Sequence, residues 1–150
     1  LLDKQLLDDL KVEFPPIAKL PAMAETMVAI DQVLGHLKSI EKAGWKSPVS
    51  HPALTPGHEA VLLREHFAEL RNSDDVKGRP EKFGKLLEEA ENLCLKFESM
   101  MKASPIDPDA ASEALKAIAA NCQACHHDYR DIPQTPIQAS VTLRNVQDLL

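Results

Sequence analysis

Asp107-Pro-Asp-Ala-Ala111-Ser-Glu-Ala-Leu115-Lys-Ala-Ile118-Ala-Ala-Asn-Cys122-Gln-Ala-Cys125-His126-His127-Asp128-Tyr129-Arg130 is the stretch on which the fold turns. Its positions Ala111, Leu115, Ile118, Cys122, Cys125 and Tyr129 recur at spacings of 4, 3, 4, 3 and 4. Such a series falls on one face of a helix, at 3.6 residues per turn. Asp107 is an N-cap whose carboxylate accepts from the orphan N–H groups of the first turn. Pro108 then stands where a missing N–H costs nothing. The stretch predicts a helix over about 108–130 with one apolar stripe.

The same grammar repeats upstream. Met23, Met27, Ile30, Leu34 and Leu37 mark one face of a helix over about 22–43, closed by Gly44. Thr55 and Pro56 open a second helix over about 56–71, with the stripe Ala60, Leu63, Phe67 and Leu70. Pro80 opens a third over about 80–103, with Phe83, Leu87, Ala90, Cys94, Phe97 and Met101. Prolines at 48, 52 and 105 fall between these segments and those at 56, 80 and 108 at their first positions, because proline breaks a helix interior but is tolerated in the first turn. Alternating strand patterns and hairpin turn signals do not occur. The expectation is an all-α chain: an antiparallel four-helix bundle over 21–130, a single domain with an N-terminal arm, 1–20, and a C-terminal arm, 131–150. Leu2, Leu6 and Leu10 suit a short helix in the first arm; Val141, Val146 and Leu149–Leu150 are the apolar points of the second. Both arms are expected to pack on the bundle, with a dimer or partner contact as the alternative.

Composition removes several classes. The net charge is −6 with no basic stripe, which argues against nucleic-acid binding. No apolar run approaches the roughly 20 residues of a membrane span. Three cysteines in 150 residues are too few for a disulfide scaffold. Aromatics are only 4%, so a core built from Ala, Leu and Val lacks bulk. The chain begins at Leu1 with no basic and apolar leader, as expected of a processed or trimmed chain.

Cys122-Gln-Ala-Cys125-His126 is a C-x-x-C-H sequence, the attachment signature of c-type haem. Cysteines three apart sit together on one helix face, so both can form thioethers to one porphyrin. The adjoining His126 then offers its imidazole to the iron. A redox pair, a zinc site and chance burial compete with haem. A thioredoxin-like pair needs a βαβ context, which is missing. A zinc site could use Cys122, Cys125 and His126 or His127, but would need Cys94 or a distant histidine to complete it. Two cysteines buried by chance leave the adjacent histidine unexplained. Haem accounts for the whole motif and offers an explanation of the low aromatic content: a flat apolar group buried in the bundle supplies the missing bulk.

With this motif near the end of the last of four helices, the chain resembles the class II c-type cytochromes, which include cytochrome c′. The run Cys122 to Arg130 is similar to their pattern C-x-x-C-H-x-x-aromatic-basic, and Phe83, Phe97 and the Ala-rich approach to Cys122 are also similar. The resemblance covers about residues 22–130; both arms depart from it. It implies a periplasmic protein, often a homodimer, carrying one haem c attached after export.

The resemblance places the sixth iron ligand, if there is one, on the first helix. Counting back from Gly44 favours Met27, with Met23 one turn earlier as the fallback. Both are alternatively gap-filling core residues. Arg130 is implied near His126 or a haem propionate, or else acts as a cation at a helix C-terminus. Tyr129 is expected to pack beside the ring. His36 lies on the opposite face of its helix from Met27 and is read as a solvated surface residue. His51, His58 and His66 are scattered, His127 belongs at the rim, and Cys94 is read as a buried small hydrophobe.

Two functions follow. The first is electron transfer by a His126/Met27-ligated haem cycling between ferric and ferrous states, toward a redox partner with a basic docking face. It needs no catalytic residue and is not an enzyme. The alternative is a five-coordinate protein that binds NO or CO, with Ile30 or a neighbour covering the iron. A peroxidase is disfavoured because no distal His–Arg pair is evident. A subunit docked into a larger redox complex through the arms would differ from the first only in its partner.

Overall fold

The structure, a computed structural model, describes residues 22–131. The two arms, with the Leu2, Leu6, Leu10 stripe and Val141, Val146 and Leu149–Leu150, lie outside the described residues. Four α-helices follow in order: α1 (Met23–Lys42), α2 (Pro56–Asn72), α3 (Glu81–Met101) and α4 (Pro108–Tyr129). A single 3-10 turn, Asp74–Val76, lies between α2 and α3, and there is no strand among the described residues.

The helix ends follow from their local chemistry. The Thr55 side chain accepts from the His58 N–H, and Asp107 Oδ1 accepts from Asp109 and Ala110 at 3.0 and 3.1 Å. At the end of α1 the Gly44 N–H donates to Glu41 O at 2.9 Å and the Trp45 N–H to Ile40 O at 3.0 Å. This Schellman pair needs a left-handed residue, and Gly44 supplies it at φ +70°. Trp45 follows at φ +60° and is buried, with its Nε1–H donating to the Pro108 carbonyl at 3.2 Å and its ring edge-on to Phe97. One indole thus ties the end of α1 to α3 and to the start of α4.

The core holds the stripes of α2 and α3 as read from the sequence: Ala60, Leu63, Phe67 and Leu70 meet Phe83, Leu87, Ala90, Cys94, Phe97 and Met101, all buried. The face of α1 differs. Thr26, Ile30, Val33, Leu37 and Ile40 are buried, whereas Met23, Met27 and Leu34 are half-buried along the edge. On α4 the buried residues are Ala111, Leu115, Ile118 and Asn121; Cys122, Cys125 and Tyr129 continue the stripe only half-buried. Both departures lie at the same end of the molecule.

Successive helices pack on each other: α1 on α2, α2 on α3 and α3 on α4. Polar links join them. His36 Nδ1 meets Glu59 Oε2 at 2.8 Å, and the Met23 N–H donates to Asp75 Oδ2 at 2.6 Å. Arg71 pairs with Glu91 at 2.9 Å, Arg64 with Glu98, and Lys82 with Asp128 at 2.6 Å. The His36 link corrects the sequence expectation. Its ring is not freely solvated but pairs with Glu59, a carboxylate only 3% exposed. Contact between α1 and α4 is far less extensive than between successive helices.

Candidate functional site

The gap between α1 and α4 is a groove. Its larger lobe, of about 310 Å³, is lined on one side by Met27, Val28, Ile30, Asp31 and Leu34 of α1. Asn121, Cys122, Cys125 and His126 of α4, with Arg130 just after it, form the other side, and Phe67, Leu86 and Leu87 complete the lining. A smaller lobe of about 180 Å³ shares Met27, Cys125, His126 and Arg130 and adds Met23, Arg79, Phe83 and Tyr129. The larger lobe alone falls within the roughly 300–1,000 Å³ of ordinary ligand sites, and its lining is mostly apolar with a few polar groups.

Helix periodicity explains why these residues converge. Positions 122, 125 and 126 are three and four apart at the end of α4 and so share one side. On α1, Met27, Ile30 and Leu34 do the same. The structure therefore gathers Cys122, Cys125, His126, Met27 and Arg130 at one groove, with Tyr129 and Met23 at the smaller lobe only.

Burial sets the charge states. It raises the Cys122 thiol, with Cys125 adding to the effect. Burial also raises Cys125, helped by Asp128 and opposed by Arg79. His126 is pushed below the ordinary imidazole value by burial and then by the Arg130 charge. At neutral pH the groove thus presents two thiols and a neutral imidazole, which keeps its lone pair.

The surroundings are ordered by specific contacts. The Tyr129 ring stands edge-on to Phe83 with centroids 5.0 Å apart. Arg79 lies 4.9 Å over the Phe83 ring, donates through Nη2 to Met23 Sδ at 3.7 Å, and through Nε to Asp75 O at 3.2 Å. Arg130 is held by its neighbour Asp131 at 2.6 and 3.2 Å. His127 is exposed and bonds to Asp128 at 2.9 Å, outside the groove lining. Cys94 is fully buried on α3, where burial foremost, and then Cys122, pushes its thiol up to about 12.

Arg79 and Phe67 carry no motif in the sequence. Arg79 sits just before Pro80 in a polar connection and reaches the site only through the packing of the helices around it. Among the described residues no group of three or more His, Cys, Asp or Glu side chains is arranged to hold a metal ion, and no helix is long and apolar enough to cross a membrane. Compared with family models, curated proteins and solved structures, the chain matches none.

Proposed function

We propose that the chain is a haem c protein of the class II cytochrome type that carries electrons. The observation that carries this is the single groove onto which Cys122, Cys125 and His126 of α4 and Met27 of α1 all open. The donor set suits the group: two adjacent thiols for thioether bonds, a neutral imidazole and a thioether for iron, and an apolar lining for a porphyrin face. When bound, haem supplies a one-electron ferric/ferrous couple.

The chain's own residues do the rest. Cys122 and Cys125 would fix the group to α4, and His126 and Met27 would supply ligands to its iron. Met27 is preferred to Met23 because it borders both lobes, whereas the Met23 sulfur accepts from Arg79. Ile30, Leu34, Phe67, Leu86 and Leu87 would exclude water, which favours the less charged ferrous state. Tyr129 packs at the smaller lobe beside Phe83. Electron transfer requires no nucleophile or general base from the protein. A net charge of −6 favours a basic partner surface. Covalent haem attachment implies an exported, periplasmic protein.

We also infer that consecutive helices run antiparallel. Partners of α1 ascend on one side as they descend on the other: Met23 meets Asp75 and His36 meets Glu59. Arg64 and Arg71 likewise meet Glu98 and Glu91, and Lys82 at the start of α3 meets Asp128 near the end of α4.

One observation favours the five-coordinate alternative. Met27 is at the groove edge, flanked by apolar Ile30 and Leu34, which would leave an apolar gas-binding face if its sulfur stayed away from iron. The optical spectrum of the protein, exported from cells with a working haem-attachment system, separates the two. Low-spin bands with the weak far-red feature of Met-ligated ferric haem support the carrier. A high-spin spectrum that shifts with CO supports the alternative.

A further inference from the structure

Four arginines lie among the described residues. Arg64 pairs with Glu98, Arg71 with Glu91 and Arg130 with Asp131. Arg79 has no such carboxylate partner among the described residues. The nearby Asp75 accepts from the Met23 N–H at Oδ2 and from Arg79 Nε at its backbone carbonyl, so its contact with Arg79 is to the main chain and not an ion pair. The guanidinium is nevertheless positioned, by Phe83 beneath it and Met23 Sδ at 3.7 Å, and it lines the smaller lobe beside Cys125 and His126. A held cation with donors to spare at the mouth of an apolar groove is the complement of a flat apolar ligand with an anionic edge.

We propose that Arg79 is the anchor for the carboxylate edge of the group that occupies the groove. The proposal rests on the haem reading above, in which that edge is the pair of porphyrin propionates. Arg130 borders the same lobe but already carries Asp131, so Arg79 is the cation with free donors. Its guanidinium can accept a carboxylate without losing an ion pair, and the solvent-exposed rim keeps the desolvation cost small. Arg79 is thus a positioning residue: it would fix the edge of the group and place one positive charge in the lobe that His126 lines.

The test uses the holoprotein and the variants Arg79→Gln, Arg79→Lys and, as a remote control, Lys116→Gln, which removes an exposed cation on α4. The readouts are covalent haem by mass, the optical spectrum, and the midpoint potential across pH 5 to 8. Arg79→Gln is expected to keep covalent haem but show a lower potential at pH 8 and a steeper rise in potential as pH falls. Removing a cation beside a carboxylate raises its pKa, so the anionic edge would take up a proton at higher pH than in the wild type, and more readily with the less charged ferrous iron. Arg79→Lys restores most of the wild-type profile, and Lys116→Gln matches wild type. If Arg79→Gln fails to fold, Arg79→Met keeps the stem over Phe83 while removing the charge. A charge-free Arg79 variant with the wild-type potential and pH profile overturns the proposal alone. A wild-type chain that carries no covalent haem overturns the haem reading, and this proposal with it.

Discussion

The Arg79 guanidinium donates to the Met23 sulfur at 3.7 Å, and this contact divides the two groove-facing methionines of α1. Met23 is engaged at the smaller lobe; Met27 borders both. Met27→Ala is therefore expected to convert a low-spin ferric spectrum to a high-spin one, whereas Met23→Ala leaves it low-spin. If only Met23→Ala makes the change, the axial position lies one turn earlier on α1.

Trp45 closes α1 and reaches Pro108 and Phe97. Trp45→Ala removes a buried ring and strands the Pro108 carbonyl, so it is expected to cost about 3–5 kcal/mol. Gly44→Ala places a β-carbon at φ +70° and is expected to cost about 1 kcal/mol. Urea unfolding with an unchanged slope measures both.

Glu98 is buried between Lys102 and Arg64, and its hydrogen bonds to Lys102 and then Arg64 hold its carboxyl below the ordinary value of 4.5. A carboxyl whose folded pKa is depressed stabilises the fold above its unfolded value and loses that contribution as pH falls through the folded one. Acid titration should therefore erode stability below about pH 4.5. Glu98→Gln should lower stability at pH 7 by about 1 kcal/mol and flatten that acid limb. An acid limb of unchanged steepness in the variant would contradict the assignment.

Cys94 is wholly buried with a thiol pushed up to about 12. Alkylating reagent at pH 8 is expected to leave it unmodified in the folded protein and to label it on unfolding, read by mass. Fast labelling of the folded chain would show that α3 opens locally.

Much of this molecule is legible in its sequence. The stripes of α2 and α3 are buried residue for residue because both helices are covered on the face that the 3.6-residue period marks. Thr55, Asp107 and Gly44 punctuate as their side-chain and backbone chemistry requires. The misjudged residues lie where tertiary packing decides. Val33 and Ile40 displace Met23 and Leu34 from the buried face of α1, because that helix leans on α2 and leaves its methionine edge to the groove. Glu59 and Glu98 are buried carboxylates whose partners, His36 and Arg64, are distant in sequence. Arg79 is likewise brought to the groove by packing alone. The C-x-x-C-H motif and the α1 stripe are local patterns, which is why the sequence could nominate Cys122, Cys125 and His126 on one wall and Met27, Met23 and Ile30 on the other, but not Phe67, Leu86 or Arg79, which only the packing of the helices brings to the groove.

Every role proposed for the groove depends on Cys122 and Cys125 carrying one haem. The most direct measurement is the intact mass of the chain exported from cells with a working haem-attachment system, beside the Cys122→Ala/Cys125→Ala double variant. The predicted result is a coloured wild-type protein, heavier than its polypeptide by one haem that survives denaturation, and a colourless, unmodified double variant. A colourless wild-type chain of unmodified mass would contradict it.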